Sequence, residues 1–140
     1  MSLSDIRSAI DTALAGVSGL TEHYAKVPSV PNAPCAFPSL RPVDAISYDF
    51  SAQNASLVYH FYVEVLVNKG GTLEQAQDDL DAFLVPAGTT SIKAAVEAIA
   101  WTATTADCCQ VMGVGNYGPV TYGGNEFLGA RLMLDVWRSS

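Results

Sequence analysis

Apolar positions recur along the chain at two spacings, one helical and one strand-like. Leu3, Ile6, Ile10, Leu14 and Val17 lie three or four apart, with Ser2 or Ser4 as a cap and Asp5 in the first turn. That spacing predicts an amphipathic helix over residues 3–17, ending at Gly16 or Gly19. Residues 20–27 then turn strand-like, and Pro28, Pro31, Pro34, Pro38 and Pro42 follow at intervals of three or four. Proline fixes φ and carries no N–H, so residues 28–42 are predicted to be extended edge or connecting chain rather than helix or central strand.

Residues 43–49 and 57–67 are both β-rich and are separated by a polar stretch, residues 50–56, which predicts a long hairpin. In its second strand Leu57, Tyr59, Phe61, Val63, Val65 and Val67 share one face, while Val58, His60, Tyr62, Glu64 and Leu66 share the other. One of these faces belongs to a core. Thr72 and Gln75 form a capping box ahead of Leu73, Ala76, Leu80, Phe83 and Leu84, and a second, shorter helical stripe carries Ile92, Ala95, Val96 and Ile99. Residues 109–114 and 127–137 read as strands bracketing a glycine-rich segment, residues 115–126. In the last strand Leu128, Ala130, Leu132, Leu134 and Val136 alternate with Gly129, Arg131, Met133 and Asp135, so it too has one buried face. The order helix, strands, two helices, strands lacks the βαβα alternation of a parallel sheet. It predicts an α+β fold in a single domain over residues 1–140, with a mixed, mostly antiparallel sheet and helices packed on one face.

Charge changes this picture. Hydrophobic residues make up 49% of the 140-residue chain and charged residues only 15%, below the roughly 25% of an ordinary soluble domain. A monomer so poor in charge exposes neutral or apolar surface that self-association would bury. Membrane insertion is the competing explanation, but the apolar run at residues 57–67 is broken by His60 and Glu64 and is far shorter than a spanning helix. The N-terminal segment has an acid where a secretory signal carries basic residues, which points to cytosolic synthesis. A net charge of −7 argues against gripping nucleic acid through its phosphates.

The chemical motifs are thin. Gly113, Gly115 and Gly118 match a dinucleotide-binding fingerprint, but Pro119 and the following residues continue as turn and strand where that motif needs a helix. A glycine-rich hairpin, with no cofactor, is the reading that fits. Cys108 or Cys109 could act as a nucleophile with His60 as base and Asp107 or Glu64 as orienter, but nothing in the spacing fixes that geometry. Buried or half-buried packing thiols in a reducing cytosol are the expectation for Cys35, Cys108 and Cys109. Two histidines 37 positions apart, without a Cys-x-x-Cys, leave no metal-ligand cluster. Glu74, Asp78, Asp79 and Asp81 lie mostly opposite their helix's apolar stripe and read as a solvated face.

An ordered set of features resembles the tail terminator (tail completion, minor tail protein U-like) proteins of long-tailed bacteriophages. The features are the helix at residues 3–17, Tyr59-His-Phe-Tyr-Val-Glu-Val-Leu-Val67, Ala76-Gln-Asp-Asp-Leu-Asp-Ala-Phe-Leu84, Ser91-Ile-Lys-Ala-Ala95, Asn116-Tyr-Gly118, and Tyr122-Gly-Gly-Asn-Glu-Phe-Leu-Gly-Ala130 leading into a final strand. The resemblance implies a structural, non-enzymatic virion protein without cofactor. It would form a homohexameric ring at the head-proximal end of the tail, assembled in the host cytoplasm. Its partners would be the tail tube protein and head connector proteins, with DNA passing through the lumen without specific binding and no membrane involved. A head–tail connector or neck protein, a tail-tube relative, and a small ligand-binding module or cysteine enzyme are the alternatives.

The polar connection at residues 49–56 and the glycine-rich segment 115–126 interrupt otherwise patterned strands, as functional loops on a rigid scaffold do. Phe50, Gln53, Asn54, Asn116, Tyr117, Tyr122 and Asn125 are therefore the candidate interface residues, since tyrosines at low charge density anchor protein interfaces.

Overall fold

A computed structural model describes residues 3–29, 31–42, 45–49, 56–68, 73–101, 108–122 and 124–139. Its elements run α1 (Leu3–Leu14), β1 (Glu22–His23), β2 (Cys35–Leu40), β3 (Ile46–Asp49), β4 (Ser56–Asn68), α2 (Leu73–Phe83), α3 (Ile92–Glu97), β5 (Cys108–Tyr122) and β6 (Asn125–Ser139). The strands form one six-stranded sheet in the order β1-β2-β4-β6-β5, with β3 also paired to β4. Every pairing is antiparallel except the two-residue β1–β2 contact. This is the α+β architecture that the order of elements predicts.

β4 and β6 form the spine, paired from Ser56↔Ser139 to Asn68↔Phe127 without a break. Their alternation works as the sequence predicts. Tyr59, Phe61, Val63, Val65 and Val67 of β4 and Leu128, Ala130, Leu132, Leu134 and Val136 of β6 are all buried in the main core. The helices supply the other half of that core through Ile6, Ile10 and Leu14 of α1, Ala76, Leu80 and Phe83 of α2, and Ile92 and Val96 of α3. Removing side chains of this size from water stabilises by roughly 1.5–3 kcal/mol each before entropy is counted. The apolar stripes therefore decide where the helices sit.

Several local expectations change. α1 stops at Leu14, short of the predicted 17, although Val17 still reaches the core. Leu73 opens α2 but is half exposed, so the buried stripe of that helix begins at Ala76. Thr72 of the expected capping box lies outside the described residues. The start of α3 carries a cap: Ser91 Oγ accepts from Ala94 N at 3.0 Å and donates to Val85 O.

The proline-rich stretch contains β2, which runs along β4 from Cys35↔Leu66 to Leu40↔Phe61. Pro38 is tolerated there because β1 covers only Cys35 and Ala36 on the far side, which leaves the rest of β2 as an edge. β3 continues on the same side of β4, and between Leu40↔Phe61 and Ile46↔Tyr59 the His60 backbone accepts from Arg41 N at 2.9 Å and donates to Ala45 O at 2.8 Å.

The glycine-rich segment is the largest correction. Instead of a loop over residues 115–126, β5 extends through it to Tyr122 and pairs with β6 down to Tyr122↔Asn125. Two irregularities interrupt the ladder, between Val111 and Gly113 and between Gly115 and Gly118. Such bulges take up extra residues and twist an edge strand. Asn116 sits in the second with φ +52°, a left-handed conformation that asparagine adopts more readily than most residues.

Candidate functional site

Among the described residues the three helices pack on one face of the sheet, and the other face is divided into an apolar end and a polar end. At the apolar end Ala33, Cys35, Phe37, Leu66 and Phe127 form a small separate core, with Tyr24 and Val120 packed on it. Tyr24 meets the Phe37 ring edge-on at 6.5 Å, and Asn68 Nδ2 donates to Ala33 O, so the segment before β2 folds over this end. Burial pushes the Cys35 thiol up to about 12, with the Glu22 carboxylate adding to the effect.

Farther along the same face the rungs become polar. Glu64 is 5% exposed, accepts from Ser39 Oγ at 3.0 Å and pairs with Arg131 Nε at 2.9 Å. The Arg131 guanidinium lies 5.0 Å from the Tyr62 ring centroid, a cation–π contact that adds to the ion pair. A buried carboxylate needs such partners, because an unpaired charge taken out of water is costly. Two rungs along on this face, past Tyr62↔Met133, is a relay of three residues from three strands. Ser47 Oγ lies 2.9 Å from His60 Nε2, and His60 Nδ1 lies 2.6 Å from Asp135 Oδ1. His60 is partly buried, and the relay ties the short β3 to β4 and β6.

A hydroxyl on one imidazole nitrogen and a carboxylate on the other is the arrangement that general-base catalysis uses. It differs from the arrangement considered from sequence. Asp135, not Glu64, orients His60, and Glu64 is committed to Ser39 and Arg131. Asp107 lies outside the described residues. Cys109 turns toward the helices and donates to Val96 O at 3.2 Å, on the opposite side of the sheet from His60. Its thiol is pushed up by burial, against the contrary influence of Trp101, so it is a poor nucleophile. Cys108 is exposed, contrary to the expectation of buried or half-buried thiols throughout, whereas Cys35 is buried and Cys109 half-buried.

The outer edge of β5 is the other notable surface. Near its start the edge is covered: Val111 N donates to Glu97 Oε2 at 2.9 Å, and Lys93 Nζ pairs with Glu97 Oε1 at 2.6 Å. The Lys93 ammonium holds the Glu97 carboxyl below the usual range; burial opposes this and the Val111 N–H assists it. Beyond that point Met112, Val114 and Tyr117 are 56%, 44% and 45% exposed. Tyr117 stands beside α2, where its hydroxyl donates to Asp81 Oδ1 at 2.7 Å. Loss of water around the phenol, then Asp81 and Asp78, push its ionisation up to about 12.

Of the residues proposed from sequence, Asn116 and Tyr117 fall side by side in the β5 bulge and are exposed. Asn125 is exposed at the hairpin end and lines a cavity with Pro31, Asn32, Ala33, Asn68 and Glu126 among others, apart from Tyr117. Tyr122 pairs with Asn125 through its backbone, and its side chain is not described. Phe50, Gln53 and Asn54 lie outside the described residues. Sequence reasoning missed the Ser47–His60–Asp135 relay, because the partners are 13 and 75 residues from His60 and only the strand register brings them together. No helix among the described residues is long and apolar enough to cross a membrane. No family model and no characterised protein sequence matches this chain.

Proposed function

We propose that the protein is a structural, non-enzymatic tail terminator that forms a ring, hexameric by the resemblance, on the head-proximal end of a phage tail tube. There it would stop tube polymerisation and present a surface to the head connector. The observation that carries this reading is the β5 edge, where Met112, Val114 and Tyr117 lie exposed together on a chain with few charges. Exposed apolar surface next to a partly open strand edge calls for a covering partner. The ordered sequence features that resemble tail terminators name what that partner would be.

The test is polymerisation of tail tubes in the presence of the protein. Wild type gives tails of defined length, whereas a folded variant carrying Tyr117→Ser and Tyr122→Ser leaves tubes uncapped. Normal-length, infectious tails from that double variant would overturn the proposal.

The Ser47–His60–Asp135 relay favours a second reading, a small hydrolase with Ser47 as nucleophile. It ranks lower because five cavities among the described residues are lined by residues other than Ser47, His60 and Asp135. A fluorophosphonate probe that labelled Ser47 and lost that labelling with His60→Ala would favour it over the ring.

A further inference from the structure

Two surface features at opposite edges of the sheet carry complementary charge. On the β5 side the partly exposed Tyr117 ring lies beside α2, its hydroxyl donating to Asp81 Oδ1 at 2.7 Å, with Asp78 one turn earlier on the same helix. On the other side α1 and β2 enclose a pocket of about 400 Å³ lined by Arg7, Lys26, Val27, Pro38, Ser39 and Leu40. Its apolar lining comes from Val27, Pro38 and Leu40, and Val27 is half exposed. Neither Arg7 nor Lys26 forms an ion pair among the described residues. An aromatic knob flanked by acids on one side thus faces the chemistry of an apolar pocket flanked by cations on the other.

One chain cannot join its own two halves. β5 and β2 stand three strand spacings apart in the sheet order, roughly 14 Å at about 4.8 Å each. We propose that Tyr117 of one copy docks into the Arg7–Lys26 pocket of a second copy of this chain, with Asp78 and Asp81 facing the two cations. This rests on the ring-forming reading above and specifies its interface. A knob and a pocket on different surfaces make a heterologous contact, the kind that propagates from copy to copy and gives a ring where the rotation between copies closes. Tyrosine seated in a pocket is a typical anchor of such contacts, and cations at the rim can also sit against its ring. The remaining charges steer the encounter, so association weakens as salt rises.

The inference is tested by sedimentation velocity in low-salt buffer on the full chain, with circular dichroism confirming that each variant folds. Wild type associates reversibly, and both Tyr117→Ala and the pair Arg7→Glu with Lys26→Glu weaken association roughly tenfold or more. The Tyr117→Ala chain keeps an intact pocket, and the Arg7→Glu/Lys26→Glu chain keeps an intact knob. Mixed, the two give one-to-one dimers and nothing larger. Adding Asp78→Lys and Asp81→Lys to the Arg7→Glu/Lys26→Glu chain restores self-association. A wild type that stays monomeric, variants that associate like wild type, or a mixture that stays monomeric each overturn the inference. The terminator reading is judged separately, by whether the wild-type chain caps tail tubes.

Discussion

The two faces of one sheet make different use of the same strands. On the covered face, β4 and β6 present only apolar side chains to three amphipathic helices, and packing is continuous from Tyr59 to Val67. On the other face the same strands present a small apolar cluster and then a row of paired polar groups: Glu64 with Arg131, and His60 with Ser47 and Asp135. The covered face is held by burial, which is non-directional and tolerates modest repacking. The polar part of the other face is held by specific partners, which fix register and hold the short β3 in place. A sheet built this way anchors its fold through one face and fixes strand register through the polar part of the other.

Leu80→Asp should break the comparison most severely. Leu80 is fully buried where α2 meets the sheet, and an unpaired carboxylate there should cost more than about 4 kcal/mol and prevent folding. Asp78→Ala, on the exposed side of the same helix, should change stability by less than about 0.5 kcal/mol in urea titration. Similar effects from the two would mean the helix packs through another face.

Gly129→Ala should come next, on the other face. An added Cβ would stand 2.8 Å from Leu66 Cδ2 and 3.1 Å from both Val120 Cγ2 and Val65 O, and the backbone oxygen cannot move aside cheaply. Overpacking of this kind costs about 1–3 kcal/mol, visible as a lowered melting temperature. A neutral result would show that the apolar end of that face is loosely packed.

Much of this was legible in the sequence. The alternation in residues 57–67 and 127–137 marks one-sided strands because a period of two leaves no other way to bury those side chains together. The stripes in residues 3–17 and 73–84 mark the helices for the corresponding reason. The first part of β5 was legible at residues 109–114, but its continuation to Tyr122 was hidden because Gly, Pro and Asn are turn-rich residues, and only pairing with the well-patterned β6 turns them into a bulged strand. β2 was only half visible. Its prolines point to an edge, but the packing of Cys35 and Phe37 beneath the segment before it depends on contacts remote in sequence. The same holds for the candidate site. Tyr117 stands out as a residue type, but its neighbour Asp81 lies 36 positions away.

Ser47→Ala should sharpen the contrast with a smaller effect. It removes one hydrogen bond to a partly buried imidazole and should cost about 1 kcal/mol without a change of fold.

An effect of comparable size should come from pH. The Cys35 thiol ionises near 9 in the unfolded chain and near 12 in the fold. The folded state therefore holds this proton more tightly, and its stabilising contribution is present below pH 9 and is lost as pH rises from about 9 toward 12. Urea titrations at pH 8 and pH 10 should show the alkaline decline, and Cys35→Ala should make it shallower, leaving the part that Cys109 and Tyr117 contribute. An equally steep decline in the variant would assign it to other groups.

The central claim, that this chain works by closing a ring on a tail tube, is tested most directly by electron microscopy of tail tubes incubated with the purified protein. Ring-shaped density at one end of each tube, and tubes that no longer elongate when more tube protein is added, are the expected result. Bare ends and continued elongation in the presence of folded, saturating protein would contradict it.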